Sequence, residues 1–218
     1  NKYDDHLFDI ITLEGQSLGL NMFAGGAHLG ILACTQELRH LTPGRLIGEV
    51  CDIFGKPNLA LVFEDREQHV ARDRATSNIC SNQALNALKA GVFIDLLGCE
   101  GVNKIYSNCH IKAKSLKEAL ISIDNLNAPY RGNIFNEFTI SFPSSDLLIK
   151  SFEILKSKGI ILGITSSIFN CLEDNEILIA VTESISEDDL RKIVSELCHS
   201  INLDAKAPVK VLNLCLKK

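Results

Sequence analysis

Four basic side chains, Arg66, His69, Arg72 and Arg74, fall within one short stretch of an otherwise acidic chain. A guanidinium is a rigid fork of donors, so an arginine cluster suits a carboxylate or a phosphate. Glu64, Asp65, Glu67 and Asp73 are interleaved with them, and local ion pairing is an equal reading. Thr76, Ser77 and Asn78 follow directly. Their short polar side chains are good helix caps, and a helix N-terminus is itself an anion site. The same three residues can also turn polar groups toward an interface. Cys80 comes next, either redox-sensitive at such a terminus or a buried structural thiol. Earlier in the chain, Gly25 and Gly26 lack a Cβ, so their N–H groups can approach an anion closely. A tight turn between two strands is the competing reading. His28 can donate a hydrogen bond into a site there, or it is simply a polar loop residue.

Other chemistries find no support. The sequence has no G-x-S-x-G, no G-x-x-x-x-G-K-[ST] and no H-E-x-x-H. Cys109-His110 and Cys198-His199 are adjacent pairs in helical segments. Helix neighbours point about 100° apart, so neither pair easily chelates one metal. The eight cysteines are irregularly spaced with no C-x-x-C. Reduced thiols are expected, with Cys80, Cys109 and Cys198 buried among helical apolar positions, and a reducing cytoplasm as the compartment. Neither a catalytic side chain nor a metal site is expected from these patterns.

Strands are expected at 8–13, 30–34 and 58–64, with a turn at 51–57 and a short helix from Thr35 that stops before Pro43-Gly44. Leu85, Leu88, Val92 and Leu96 recur at helical spacing and predict one apolar face, on a helix capped by Ser77, Asn78 or Ser81 and stopped at Gly98. A second helix is expected over about 100–122, on Val102, Ile105, Cys109, Ala113, Leu116 and Leu120. The remainder reads as an α+β lobe. It comprises a half-buried strand through Phe138, Ile140 and Phe142, a helix through Leu148, Phe152 and Leu155, strands at 159–162 and 176–181, and a final helix opened by Ser186 and Asp189 in capping-box fashion. The stretch from Val209 to Leu214 is β-prone.

With 218 residues, 46% hydrophobic and 22% charged, the composition is that of an ordinary globular chain. A net charge of −5 offers no footprint for nucleic acid or an anionic membrane. No apolar run approaches the roughly 18 residues that a spanning helix needs. The first residues show no basic-then-apolar leader pattern.

The stretches Glu14-Gly15-Gln16-Ser17-Leu18-Gly19, Gly25-Gly26, Pro43 to Glu49, Arg66-Glu67-Gln68-His69 and Ala75 to Leu85 together resemble the P-protein of the glycine cleavage system, subunit 1 of glycine dehydrogenase (decarboxylating). The resemblance runs to about His199 and covers only the second half of such a subunit, so the chain is expected to be a fragment whose isolated form is inactive. It implies an α/β chain, the C-terminal part of an aminotransferase-like fold. Residues 1–75 would then be the remnant of the large cofactor-type domain and 76–122 a helical spine. Residues 123–204 would be the small α+β domain and 205–218 a tail.

The family decarboxylates glycine on pyridoxal phosphate and passes the aminomethyl group to the lipoyl arm of the H-protein. In the cofactor-bearing sister subunit, the anchoring lysine stands eleven residues before the proline that ends a glycine run. Counting back eleven from Ala27, which takes the proline's place here, lands on Gln16. An amide nitrogen cannot form the imine. The resemblance therefore implies that pyridoxal phosphate sits on the partner, subunit 2, in a cytoplasmic hetero-oligomer, and that the lipoylated H-protein is the second partner. It implies that Gly25 and Gly26 face the partner's cofactor phosphate. His28, Arg66, His69, Arg72, Thr76, Ser77 and Asn78 are then interface or anion candidates. The alternative is a structural or interaction domain that supplies an interface and no chemistry.

Overall fold

The computed structural model describes residues 8–22, 26–42, 44–75 and 83–202, and the chain divides into two units at Gly98. In the first unit, β1 (Ile10–Glu14) pairs antiparallel with β2 (Gly30–Cys34), from Ile10 opposite Cys34 to Glu14 opposite Gly30. A 3-10 helix follows at Gln36–Leu41. A second hairpin joins β3 (Leu46–Cys51) to β4 (Pro57–Val62). Its turn is an Asx turn: Asp52 Oδ1 accepts from the N–H groups of Phe54 at 2.8 Å and Lys56 at 2.9 Å.

Strand β3 is absent from the sequence reading, because Gly48 interrupts its apolar run. The glycine is there for space, since a Cβ would lie 2.8 Å from Val62 Cγ1. Strand β4 ends at Val62, short of the expected residue 64, because Phe63 turns to φ 59 and starts a 3-10 turn over Glu64–Arg66. One helical turn, α1 (Gln68–Ala71), comes next.

Helix α2 (Ala84–Ile121) is interrupted at Gly98, where φ is 63 and ψ is 176. Only glycine takes that conformation readily, so Gly98 is the stop that its residue type predicts. The expected capping residues of this helix, Ser77, Asn78 and Ser81, lie outside the described residues, as does Cys80. The apolar face expected on the first half of α2 lies in the open. Leu85, Leu88, Val92 and Leu96 are all exposed, Leu96 at 81%. The contact it makes is through Ala90, which is buried with Leu20 and Leu29, and Phe93, which lies against Gly19.

The second unit holds the larger core. Strands β5 (Glu137–Ser141), β6 (Ile164–Thr165) and β7 (Glu176–Ala180) form an antiparallel sheet in the order β5-β7-β6. Helices α3 (Ser145–Ser157) and α4 (Glu187–Asn202) pack together. Leu148 and Leu155 of α3, Leu197 of α4, Ile140 and Ile177 of the sheet, and Leu116 and Leu120 of α2 are buried in one cluster. Strand β5 is buried on both faces rather than one: Thr139, between Phe138 and Ile140, is only 9% exposed.

The helix ends explain the boundaries. Ser144 Oγ accepts from Leu147 N–H at 3.3 Å, capping α3. At its other end, Ile160 N–H donates to Leu155 O and Gly159 N–H to Lys156 O, the paired bonds of a Schellman stop. That stop uses Gly159 and Ile160, so the strand expected at 159–162 forms instead at Ile164–Thr165. At the start of α4 the box is reciprocal. Asp189 N–H donates to Ser186 Oγ at 3.1 Å, and Ser186 N–H donates to Asp189 Oδ2 at 3.0 Å. Residues 205–218 lie outside the described residues.

Candidate functional site

The loop between β1 and β2 is built around Glu14. Its Oε1 accepts the N–H of Leu29 at 2.8 Å and that of Gln16 at 3.0 Å, and His28 Nδ1 lies 3.4 Å from its Oε2. Gly15 N–H donates to Leu29 O at 2.7 Å. One carboxylate thus ties the first residues of the loop to its last. The Leu29 N–H holds the Glu14 carboxyl below its ordinary value, opposed by burial and helped by Gln16 N–H and the charge of His28. The folded state therefore favours the ionised form. This contribution is present above the unfolded-state pKa and is lost as pH falls through the lower, folded one. The Leu29 amide proton is expected to lose its hydrogen-bonded shift in an NMR titration with a midpoint below that of an ordinary glutamate, and Glu14→Gln is expected to abolish that titration step.

Gln16 and Gly26 meet inside this loop. Gly26 has φ 73, and a Cβ there would strike Gln16 Nε2 and lie 3.0 Å from Asn21 O and 3.1 Å from Met22 Cα. Glycine is needed at 26 both for conformation and for space. Gln16 Nε2 is buried and has no hydrogen-bond partner among the described residues. Leu18, Leu20, Leu29 and Ile31 pack beneath the loop against Ala90 of α2. Gly25 lies outside the described residues.

The basic stretch separates into three behaviours. Arg66 is 7% exposed, and its guanidinium donates to Thr42 O and, at 2.5 Å, to Gly44 O. It thus holds the main chain that leads into β3, and takes neither a carboxylate nor an open cleft. His69 Nε2 lies 3.5 Å from Glu64 Oε2, both half-exposed, which is the local pairing foreseen for the cluster. Arg72 has φ 53, is exposed, and makes no ion pair with a described carboxylate. Arg74 is exposed as well, so these two arginines are the members of the cluster left open to an external anion. Thr76, Ser77 and Asn78 lie outside the described residues.

In the second unit, Cys109 is buried and Cys198 is half-buried. Burial pushes the Cys109 thiol up, and the nearby Glu183 carboxylate adds to the shift. Cys109 Sγ faces Glu183, whereas His110 Nδ1 lies 3.2 Å from Phe135 O. The adjacent pair therefore points two ways, as helical neighbours must. Among the described residues no cluster of three His, Cys, Asp or Glu could hold a metal, and no helix is long and apolar enough to cross a membrane.

Sequence reasoning missed the work of Glu14 and Arg66. Both act on main-chain groups distant in sequence, brought to them by strand pairing or by the fold. The one available hint was Glu14, two residues before the loop's Gln16 N–H, a spacing that permits a local carboxylate–amide bond.

The family model for the glycine cleavage system P-protein matches residues 5–197. A curated relative from Dictyoglomus turgidum, named probable glycine dehydrogenase (decarboxylating) subunit 1, is 40% identical over 198 residues, which is 90% of this chain and 43% of the relative. A solved glycine decarboxylase P-protein, in inhibitor-bound form, superposes with a TM-score of 0.75 at 30% identity, over 88% of this chain and 43% of that one. The cysteine desulfurase CsdA from Escherichia coli superposes at 0.55 and 13% identity over 90% and 47% of the two chains, a likeness of fold alone. The chain spans less than half the length of the curated relatives it matches. Its fold is part of the aminotransferase-like fold of pyridoxal-phosphate enzymes. On the breadth of the family match, this chain belongs to the glycine cleavage system P-protein family.

Proposed function

We propose that the chain serves within a glycine decarboxylase as part of the subunit that carries no cofactor. It supports decarboxylation of glycine on pyridoxal phosphate held by a sister subunit, and transfer of the aminomethyl group to the lipoyl arm of the H-protein. The observation that carries this reading is Gln16. Counted back from Ala27 it stands where the sister subunit's lysine would, and its carboxamide nitrogen is buried against Gly26. The residues present do not fit a covalently held pyridoxal phosphate. A carboxamide has no basic lone pair, and the described loop puts no lysine in its place. No bond-making step is therefore assigned to this chain. Its contribution is positional: the Glu14-pinned loop and the exposed Arg72 offer an anionic group in a partner's site a shaped main chain and a guanidinium.

The second reading, an interaction domain without any chemical contribution, draws on Arg66, whose two terminal nitrogens are taken by main-chain carbonyls. One experiment tests the first reading directly. After incubation with pyridoxal phosphate and reduction by borohydride, the mass of the chain is expected to be unchanged. A stable adduct on any lysine overturns the proposal. Glycine–bicarbonate exchange by the cofactor-bearing subunit, supplied with the rest of subunit 1, is expected to require this chain.

A further inference from the structure

One cleft of the first unit plays no part in the proposed function. Its volume is about 750 Å³, within the range of small-molecule sites. The end of β2 and the 3-10 helix form one wall, with Arg39 on it. Strand β3 from Leu46 to Glu49, with Val62 and Phe63, forms the other. Arg66 holds the chain that joins the two walls, through Thr42 O and Gly44 O.

The cleft carries one charge of each sign, and the two do not meet. Arg39 and Glu49 both line it and both are exposed, yet they form no ion pair. The Arg39 guanidinium is held from two sides. Its Nη1 donates to Gln36 Oε1 at 2.6 Å, and its Cζ lies 5.4 Å from the centroid of the Phe63 ring. Phe63 takes φ 59, a conformation costly for a bulky residue. His40 packs edge-on against the same ring, 4.3 Å between centroids. Strain of this kind clusters at ligand clamps. Neither Gln36 nor Phe63 neutralises the guanidinium, so its position is fixed while its charge stays available. On the other wall, the Glu49 carboxylate makes no hydrogen bond or ion pair with a described residue. Ile47 shares its face of β3 and is 62% exposed.

These features select a class of ligand. A bare anion is repelled by Glu49 and a bare cation by Arg39. A zwitterion satisfies both, and Ile47, Val62 and Phe63 favour one with an apolar body. We propose that this cleft binds an apolar amino acid or short apolar peptide as the zwitterion, with its carboxylate on Arg39 and its ammonium on Glu49. Glycine has no side chain to lay on Ile47 and is a poor ligand here. Gln16, Gly26 and Arg72 do not line the cleft, so the proposal stands whichever subunit holds the cofactor.

The test is an amide-detected NMR titration of the chain, free of any activity readout. L-phenylalanine and the dipeptide leucyl-leucine are the two probes, and the tighter one identifies the source. Saturable shifts are expected at Arg39, Gly48, Glu49 and Phe63, with a Kd of about 1 mM or below. Glycine should bind at least about tenfold more weakly, for want of apolar burial. Two half-ligands separate the charges. Phenylpropionate keeps the carboxylate and phenethylamine keeps the ammonium. Arg39→Gln should weaken L-phenylalanine and phenylpropionate by about threefold or more and leave phenethylamine unchanged. Glu49→Gln should weaken L-phenylalanine and phenethylamine and leave phenylpropionate unchanged. Arg39→Lys keeps the charge and should retain part of the affinity. Unshifted β4 amides show that each variant keeps its hairpin. The proposal is overturned if neither probe gives a saturable shift by about 20 mM, some twentyfold above the expected Kd. It is equally overturned if glycine binds as well as L-phenylalanine, or if the two substitutions fail to discriminate between the half-ligands.

Discussion

Leu120→Ala is expected to lower the unfolding free energy of the second unit by about 3 kcal/mol, within the roughly 2–5 kcal/mol found for buried Leu→Ala changes. Leu120 is fully buried among Leu116, Ile140, Leu155 and Ile177. Alanine is the best helix former, so α2 itself is not weakened by the change. The loss is that of transferred methyl and methylene groups, plus the cavity they leave between helix and sheet. Denaturant unfolding followed by near-ultraviolet signals of Phe138 and Phe142 checks it. A loss under about 1 kcal/mol would mean that the neighbours collapse into the space, against the close packing of the site.

Arg66→Ala should have the second large effect, confined to the first unit. The substitution leaves Thr42 O and Gly44 O without their buried donor. The two carbonyls are only part-buried, so the loss is expected to be about 1–3 kcal/mol in all, roughly tenfold or more in the local opening equilibrium. Arg66→Lys should recover only part. An ammonium can serve one carbonyl well, but it lacks the planar fork that spans both. Amide exchange over 44–51 reads the effect, with the amides of β7 as an internal control that should not move. An equal effect of Lys and Ala would mean that packing, not the fork, holds the turn.

The second unit was the more legible in the sequence because its signals are local. Ser186 and Asp189 announce α4, the spacing of Leu148, Phe152 and Leu155 marks α3, Gly159 closes it, and the period-two run around Ile140 gives β5. Each signal is completed by atoms a few residues away. The first unit depends on distant atoms. Glu14 needs Leu29, Arg66 needs Thr42 and Gly44, and Gly48 makes sense only once Val62 is seen beside it. Leu85, Leu88, Val92 and Leu96 do form the one apolar face their spacing predicts, and it is exposed. Periodicity tells that a helix face seeks apolar company, not where that company comes from. At the loop, the sequence supplied Gln16 and the glycines as related positions. That the amide rests on Gly26 is a matter of three dimensions.

The contact of Gln16 with Gly26 also limits which side chains position 16 can hold. A lysine at 16 is one atom longer than the glutamine nitrogen it would replace. Its ammonium would be pressed against main chain in a space that offers Gln16 no described acceptor. A cation without a counterion there is driven to neutrality or out of the loop. Gln16→Lys alone would thus yield a misfit rather than a nucleophile. The loop interior is closed around a neutral amide, so a charged side chain is admitted there only if several neighbours are remodelled together.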